Sequence, residues 1–239
     1  MTDTTEEIRQ FLESIPDTFR IMETGVDIET QKEYLDYSES FGHGELTEEA
    51  TSQLAGLLWL PDTTVTSKKK GLTLLAHLGT ISAYRHIEKY YQNPDPEVKS
   101  WAALALEECR MFLESTLLDE SVGFIVSGLG GTADKMRFYF LVLPPIGTHF
   151  TTEQHNVIEI QLRSVASELN CIAEKFYPSD TYVGLTALVP HDVAVGTFIE
   201  AGIHRCNELS ELVFEHYYVT NQKVPDEAEV GQIIGKIME

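Results

Sequence analysis

The spacing of apolar residues changes once along this chain, near Val122, and that change limits the fold more than any other feature. Upstream, apolar side chains recur every three or four residues, the signature of helices with one buried face. Ile8, Phe11, Leu12 and Ile15 form one such face, stopped by Pro16. A second helix is predicted over 28–38, with Ile28, Tyr34, Leu35 and Tyr37, and Phe41-Gly42-His43-Gly44 reads as a loop. Thr47 is placed to cap a helix bearing Ala50, Leu54, Leu57 and Leu58. After the Pro61-Asp62 turn, Val65, Leu72, Leu75 and Ala76 share a face that Gly79 terminates. A short helix with Tyr84, Ile87 and Tyr91 follows. In Asn93-Pro94-Asp95-Pro96-Glu97-Val98, Asp95 is the expected cap, Pro96 suits the first helical position, and Glu97 faces the positive end of the helix dipole. The stripe Val98, Ala102, Ala105, Cys109, Phe112 then marks a long buried helix.

Downstream, short apolar runs alternate with turn residues. A hairpin is expected, with strands on either side of Gly128-Leu129-Gly130-Gly131 and an end at Pro144-Pro145. Residues 152–176 read as one helix carrying Ile158, Leu162, Val165, Leu169, Ile172 and Phe176. Tyr182–Val189 reads as a buried strand. Asp192 is expected to cap a helix with Phe198, Ile199, Ile203 and Cys206; Leu212–Thr220 is a final strand, and Pro225-Asp226-Glu227 starts a last helix. This ββαβαβ order implies an α+β domain: a mixed four-stranded sheet with two helices on one face, related in plan to ferredoxin-like sandwiches. The chain thus divides into an all-helical domain, 1–120, and an α+β sandwich, 121–239.

The helical half carries a resemblance. Asn93-Pro94-Asp95-Pro96-Glu97-Val98-Lys99-Ser100-Trp101-Ala102-Ala103 is similar to the inner-helix start of a HEAT repeat, and Leu78–Ile87 to the turn and outer helix before it. Pro61-Asp62-Thr63-Thr64-Val65 repeats the phrase Pro-Asp-x-x-Val some 33 residues earlier. Lys99 stands where that family has arginine, and Trp101 where it has a small residue. The likeness covers about 46–118. It implies a short helical layer used as a binding scaffold, with its ends covered by neighbouring elements because so few repeats do not stand alone.

Charge and composition narrow the function. The 239 residues are 43% hydrophobic, enough for a packed core, and carry a net charge of −21, of which residues 1–50 contribute −11. Such a balance disfavours phosphate backbones and anionic lipid and favours a basic protein partner. No run approaches the ~20 apolar residues of a membrane span. The polar start Met1-Thr2-Asp3 lacks a secretory pattern, and three scattered cysteines (Cys109, Cys171, Cys206) read as reduced thiols, so a cytoplasmic location is expected.

Candidates for chemistry are sparse. The glycines at 128–131 precede a strand, where a phosphate cradle opens onto a helix, so they read as a turn. His191-Asp192 suggests a metal-dependent hydrolase but follows a strand-ending proline. His204 and Cys206 lie two apart on a helix and diverge. His149 and His155 lack a third ligand at recognisable spacing. Tyr182–Ile199 is similar in rhythm to the strand–Pro–helix segment of small single-strand transposases. That family has metal-binding histidines where this chain has Tyr182 and Gly184 around Val183, which, with the acidic charge, counts against a nicking enzyme.

The expected function is a non-catalytic, cytoplasmic interaction protein, an adaptor or scaffold without cofactor or metal. Its protein partner would meet Lys68, Lys69, Lys70, Trp101, His216 and Tyr218, and neither nucleic acid nor membrane is a partner. The last strand sets Phe214, His216, Tyr218 and Thr220 on one side as an aromatic surface. Two alternatives stand beside it: a small-molecule sensor that forms a homodimer through strand 123–128, and a metal-dependent hydrolase using His191, Asp192 and His155.

Overall fold

The computed structural model describes residues 18–40, 46–132, 134–208 and 210–238, in two compact units. The predicted helix at 5–15 and the loop at 41–44 lie outside the described residues.

The first unit holds residues up to 22 and 28–126. Its helices are α1 (Ile28–Glu39), α2 (Glu48–Leu57), α3 (Val65–Leu78), α4 (Ile81–Tyr91) and α5 (Lys99–Leu118), the last entered through a 3-10 turn at Pro96–Val98. Thr47, Thr64 and Thr80 cap the starts of α2, α3 and α4 by accepting backbone N–H bonds from Ala50, Ser67 and Ala83. Gly79, left-handed at φ 55°, ends α3. Successive helices form two hairpins that stack, α3 against α5 and α2 against α4. Val98, Ala102, Ala105 and Cys109 of the predicted stripe are fully buried, against Leu72, Leu75, Ala76 and Ile87. Asp95 does not cap α5; its carboxylate accepts from Lys68 at 2.6 Å and from the Tyr90 hydroxyl at 2.5 Å. Strands β1 (Thr18–Ile21) and β2 (Val122–Ile125) pair in parallel. Residues 122–125 are therefore not the first strand of a hairpin: they pair with β1.

The second unit, 23–27 with 127–238, is the α+β one. It contains β3 (Gly131–Thr132), β4 (Lys135–Val142), α6 (Thr152–Glu168), β5 (Ile172–Ser179), β6 (Tyr182–Pro190), α7 (Val195–Asn207), β7 (Tyr217–Thr220) and α8 (Glu227–Met238). The sheet runs β5-β6-β4-β7, with β3 also beside β4, and every pairing is antiparallel, so the expected mixed sheet is corrected. The helix predicted over 152–176 stops at Glu168. Asn170 turns left-handed at φ 55°, and Ile172 and Phe176 belong to β5. A spacing of four satisfies an even-numbered strand face as well as a helix turn, so the apolar pattern alone did not separate the two. The final strand is shorter than predicted, 217–220, and Ala194 rather than Asp192 precedes α7.

One face of the sheet packs Phe140, Val142, Val183, Leu185 and Ala187 under α6 and α7 with Ile158, Leu162, Phe198 and Ile199. The other face carries Tyr139 and Leu141 under α8, which contributes Val230, Ile233, Ile234 and Ile237. The glycine-rich turn serves close packing: a Cβ at Gly128 would lie 1.7 Å from the Gln222 carbonyl oxygen. Among the described residues no helix is long and apolar enough to cross a membrane.

Candidate functional site

Strand register puts an uncommon set of side chains on the α8 side of the sheet. Side chains alternate along a strand, so Tyr139 shares a face with Leu141, which pairs with Gly184 on β6 and Tyr218 on β7. Gly184 in turn pairs with Tyr177 on β5, and Tyr182 with Ser179. Four tyrosines, Tyr139, Tyr177, Tyr182 and Tyr218, thus gather on one apolar cluster. The Tyr139 and Tyr177 rings lie 6.0 Å apart. Tyr139 is buried, and its phenol pKa is pushed up first by loss of solvent and then by the neighbouring Tyr182, Tyr177 and Tyr218 phenols. The other three are half-buried. A Cβ at Gly184 would sit 2.4 Å from the Tyr139 hydroxyl, so this glycine makes room for that phenol.

The same side holds most of the unit's cations. Of the seven Lys and Arg after residue 126, Arg163 and Arg205 belong to α6 and α7. Lys135, Arg137, Lys175, Lys223 and Lys236 lie on the face strands, the turn after β7, or α8. Lys135 pairs with Asp134, Arg137 holds Glu174 in a two-pronged bond at 2.6 and 2.9 Å, and Lys223 pairs with Glu229. Among the described residues Lys175 and Lys236 have no carboxylate partner; the Lys175 ammonium lies 4.7 Å from the centre of the Tyr177 ring. Half-exposed phenol rings can stack planar groups, their hydroxyls donate or accept, and the ammonium groups of Lys175 and Lys236 can meet phosphate.

The predicted contact residues are scattered. Trp101 is 1% exposed, its indole N–H donates to Thr73 at 3.1 Å, and the rings of Tyr34 and Tyr37 abut it at 5.0 and 5.8 Å. It is a core residue, since its large ring on α5 faces inward, and this corrects its assignment as a contact. Lys68 is likewise buried and paired with Asp95. Lys69 binds Glu33 and lies over the Trp101 ring, leaving Lys70 as the exposed member of the run. His216 is exposed and stacks on Phe214 at 5.1 Å, ahead of β7 rather than on it. Tyr218 alone belongs to the tyrosine face. Tyr139, Tyr177, Tyr182 and Lys175 were missed; Tyr139 sat inside an apolar run and Tyr177 just beyond a segment read as helix.

The histidines do not assemble. His155 donates to the Ser179 carbonyl at 3.0 Å and His191 meets the Asp134 carbonyl at 3.3 Å. His204 is exposed while Cys206 is buried, as their two-residue spacing predicts. Among the described residues no three of His, Cys, Asp or Glu gather in a way that could hold a metal ion.

A second polar cluster lies inside the helical unit. Glu108 accepts from the Tyr34 hydroxyl at 2.6 Å and the Ser38 hydroxyl at 2.7 Å, and the His77 Nε2 lies 2.8 Å from the Ser38 oxygen. Ser38 spends its single proton on Glu108, so Nε2 carries the proton that bridges to Ser38. The carboxylate lies nearest that same nitrogen, at 3.5 Å, where an acyl-transfer triad needs it on the opposite one. The cluster therefore joins α1 to α3 and α5 and does not activate a nucleophile.

No protein-family model matches the chain, and no curated protein does. Among solved structures, the chain is similar to a protein assigned as a transposase from Deinococcus radiodurans R1, at 15% identity and TM-score 0.34, over 44% of this chain and 89% of that one. It is also similar to a REP-associated tyrosine transposase bound to a REP hairpin, at 10% identity and TM-score 0.30, over 43% of this chain and 64% of that one. Both named neighbours are assigned as transposases, one of them bound to a REP hairpin, and this corrects the expectation of a non-catalytic protein adaptor and the exclusion of nucleic acid from its partners.

Proposed function

We propose that the second unit is a ferredoxin-like sandwich that binds single-stranded nucleic acid on its tyrosine face. The succession from β4 to β7, βαββαβ with strand order β7-β4-β6-β5, supports the fold reading. The observation that carries the function is the set of half-exposed rings of Tyr177, Tyr182 and Tyr218 around Tyr139, beside the Lys175 ammonium, which has no carboxylate partner among the described residues. Bases have two planar faces and stack on aromatic rings at about 1–3 kcal/mol each, whatever their identity. In a duplex those faces are hidden. A net charge of −21 opposes duplex backbones, but it does not oppose a mode in which stacking supplies most of the affinity. Net charge misled the sequence reading because it averages over the molecule, whereas five of this unit's seven basic residues lie on one side of its sheet.

Fluorescence anisotropy with a labelled thymidine oligonucleotide and the matching duplex tests this. The single strand is expected to bind and the duplex to bind far more weakly. Tyr177→Ala and Tyr218→Ala should each weaken binding by about tenfold, in line with one lost stack. The salt dependence should be shallow, a log–log slope of about −0.7 for each phosphate neutralised. A steep slope with indifference to both tyrosines would overturn the reading.

A further inference from the structure

A cleft of about 200 Å³ opens at the end of the tyrosine face, walled by β7, the turn after it and α8. Tyr218 and Thr220 reach it from β7, Gln222 from the turn, and Gln232 and Lys236 from α8. The last two are four residues apart and so lie on one helix face. We propose that this cleft binds a terminal phosphate of a nucleic-acid strand, an inference that rests on the nucleic-acid reading above and adds an end preference to it.

The lining defines the ligand's chemistry. Lys236 supplies an ammonium with no carboxylate partner among the described residues, two amides supply N–H donors, and two hydroxyls turn to suit. The cleft's own carboxylate is already committed: Glu229 pairs with Lys223 and accepts from the Asp226 backbone N–H at 3.1 Å. An acceptor-rich anion is therefore matched. At about 200 Å³ the cleft suits a single phosphate group rather than a run of nucleotides, and charge then favours a monoester at a strand end over an internal diester. A monoester carries the larger charge, close to −2 at neutral pH, and charge-assisted hydrogen bonds to it are the stronger kind.

The test uses the whole chain and three versions of one short thymidine oligonucleotide: unphosphorylated, 5′-phosphorylated and 3′-phosphorylated. One phosphorylated form should bind about tenfold more tightly than the unphosphorylated form, and which one it is identifies the end that is held. In Lys236→Gln and in Gln232→Ala that tenfold ratio should fall to about one. Both side chains are exposed, so the variants are expected to keep the wild-type circular dichroism spectrum. Equal affinity for the three forms in the wild type overturns the phosphate site while leaving the tyrosine face standing. A ratio that survives both substitutions moves the phosphate elsewhere and overturns the assignment. Failure of all three forms to bind overturns the nucleic-acid reading itself.

Discussion

Single side chains settle several questions that pattern leaves open. Trp101 fills the helical core, so Trp101→Ala should cost about 3–5 kcal/mol, measured as a lowered urea midpoint. Had it been a surface contact, the midpoint would barely move. Glu108 is the shared acceptor of two buried hydroxyls. Glu108→Ala strands both, and the expected loss is about 2–4 kcal/mol, while Glu108→Gln keeps an acceptor and should lose less. At Gly184 the contact is steric: Gly184→Ala drives a methyl into the Tyr139 hydroxyl and should cost about 1–3 kcal/mol. Tyr139→Phe removes the atom in the way, so the double variant should be more stable than the two single costs predict. Asp95 adds a pH dependence. Its carboxyl is held below the ordinary aspartate range of 3.8 by the Lys68 hydrogen bond first and the Tyr90 hydroxyl second. A depressed carboxyl contributes stability that is present above the unfolded value and lost as pH falls through the folded one. Acid titration of the urea midpoint should therefore decline below about pH 4, and Asp95→Asn should flatten that decline.

Elements follow from sequence where local signals are complete and diverge where pairing decides. Helices α2 to α5 were legible because caps, terminators and stripes agree: Thr47, Gly79 and the Val98–Cys109 face each occur where helix chemistry requires. β5 was not legible. It is the strand at the outer end of the sheet order, and it carries Glu174, Lys175, a bulge between Ala173 and Lys175, and Pro178. Those are features that blunt an exposed edge against a second chain, and they also hide the strand from a search for apolar alternation. Replacing Lys175 and Pro178 together by valine should restore a smooth, apolar edge. Size-exclusion chromatography is expected to show self-association of that variant; a variant that stays the size of the wild type would mean the edge is protected by something else. β2 failed differently. Its residues read correctly as a strand, but the partner is β1, about a hundred residues away in the chain, and no local turn chemistry reports on such a pairing.

At the scale of the whole molecule, charge acts as a field. Residues 1–50 alone hold −11 of the −21, so self-repulsion should be relieved by salt, and the melting temperature is expected to rise as sodium chloride is added up to physiological strength, where the Debye length is about 8 Å. A fall with salt would mean that the ion pairs seen on the surface outweigh the repulsion. The α+β character of the second unit and helices α2 to α5 of the first were readable from the chain, because periods of 3.6 and 2 are imposed by local backbone geometry; the strand β1 lies inside the stretch expected to be all-helical and corrects that expectation. Caps and terminators were readable for the same reason. The antiparallel order of the sheet, the partner of β2 and the gathering of Tyr139, Tyr177, Tyr182 and Tyr218 were decided only in three dimensions. Those tyrosines span some eighty residues and share no motif; what unites them is strand register, and register comes from the packing of both sheet faces rather than from any neighbouring residue.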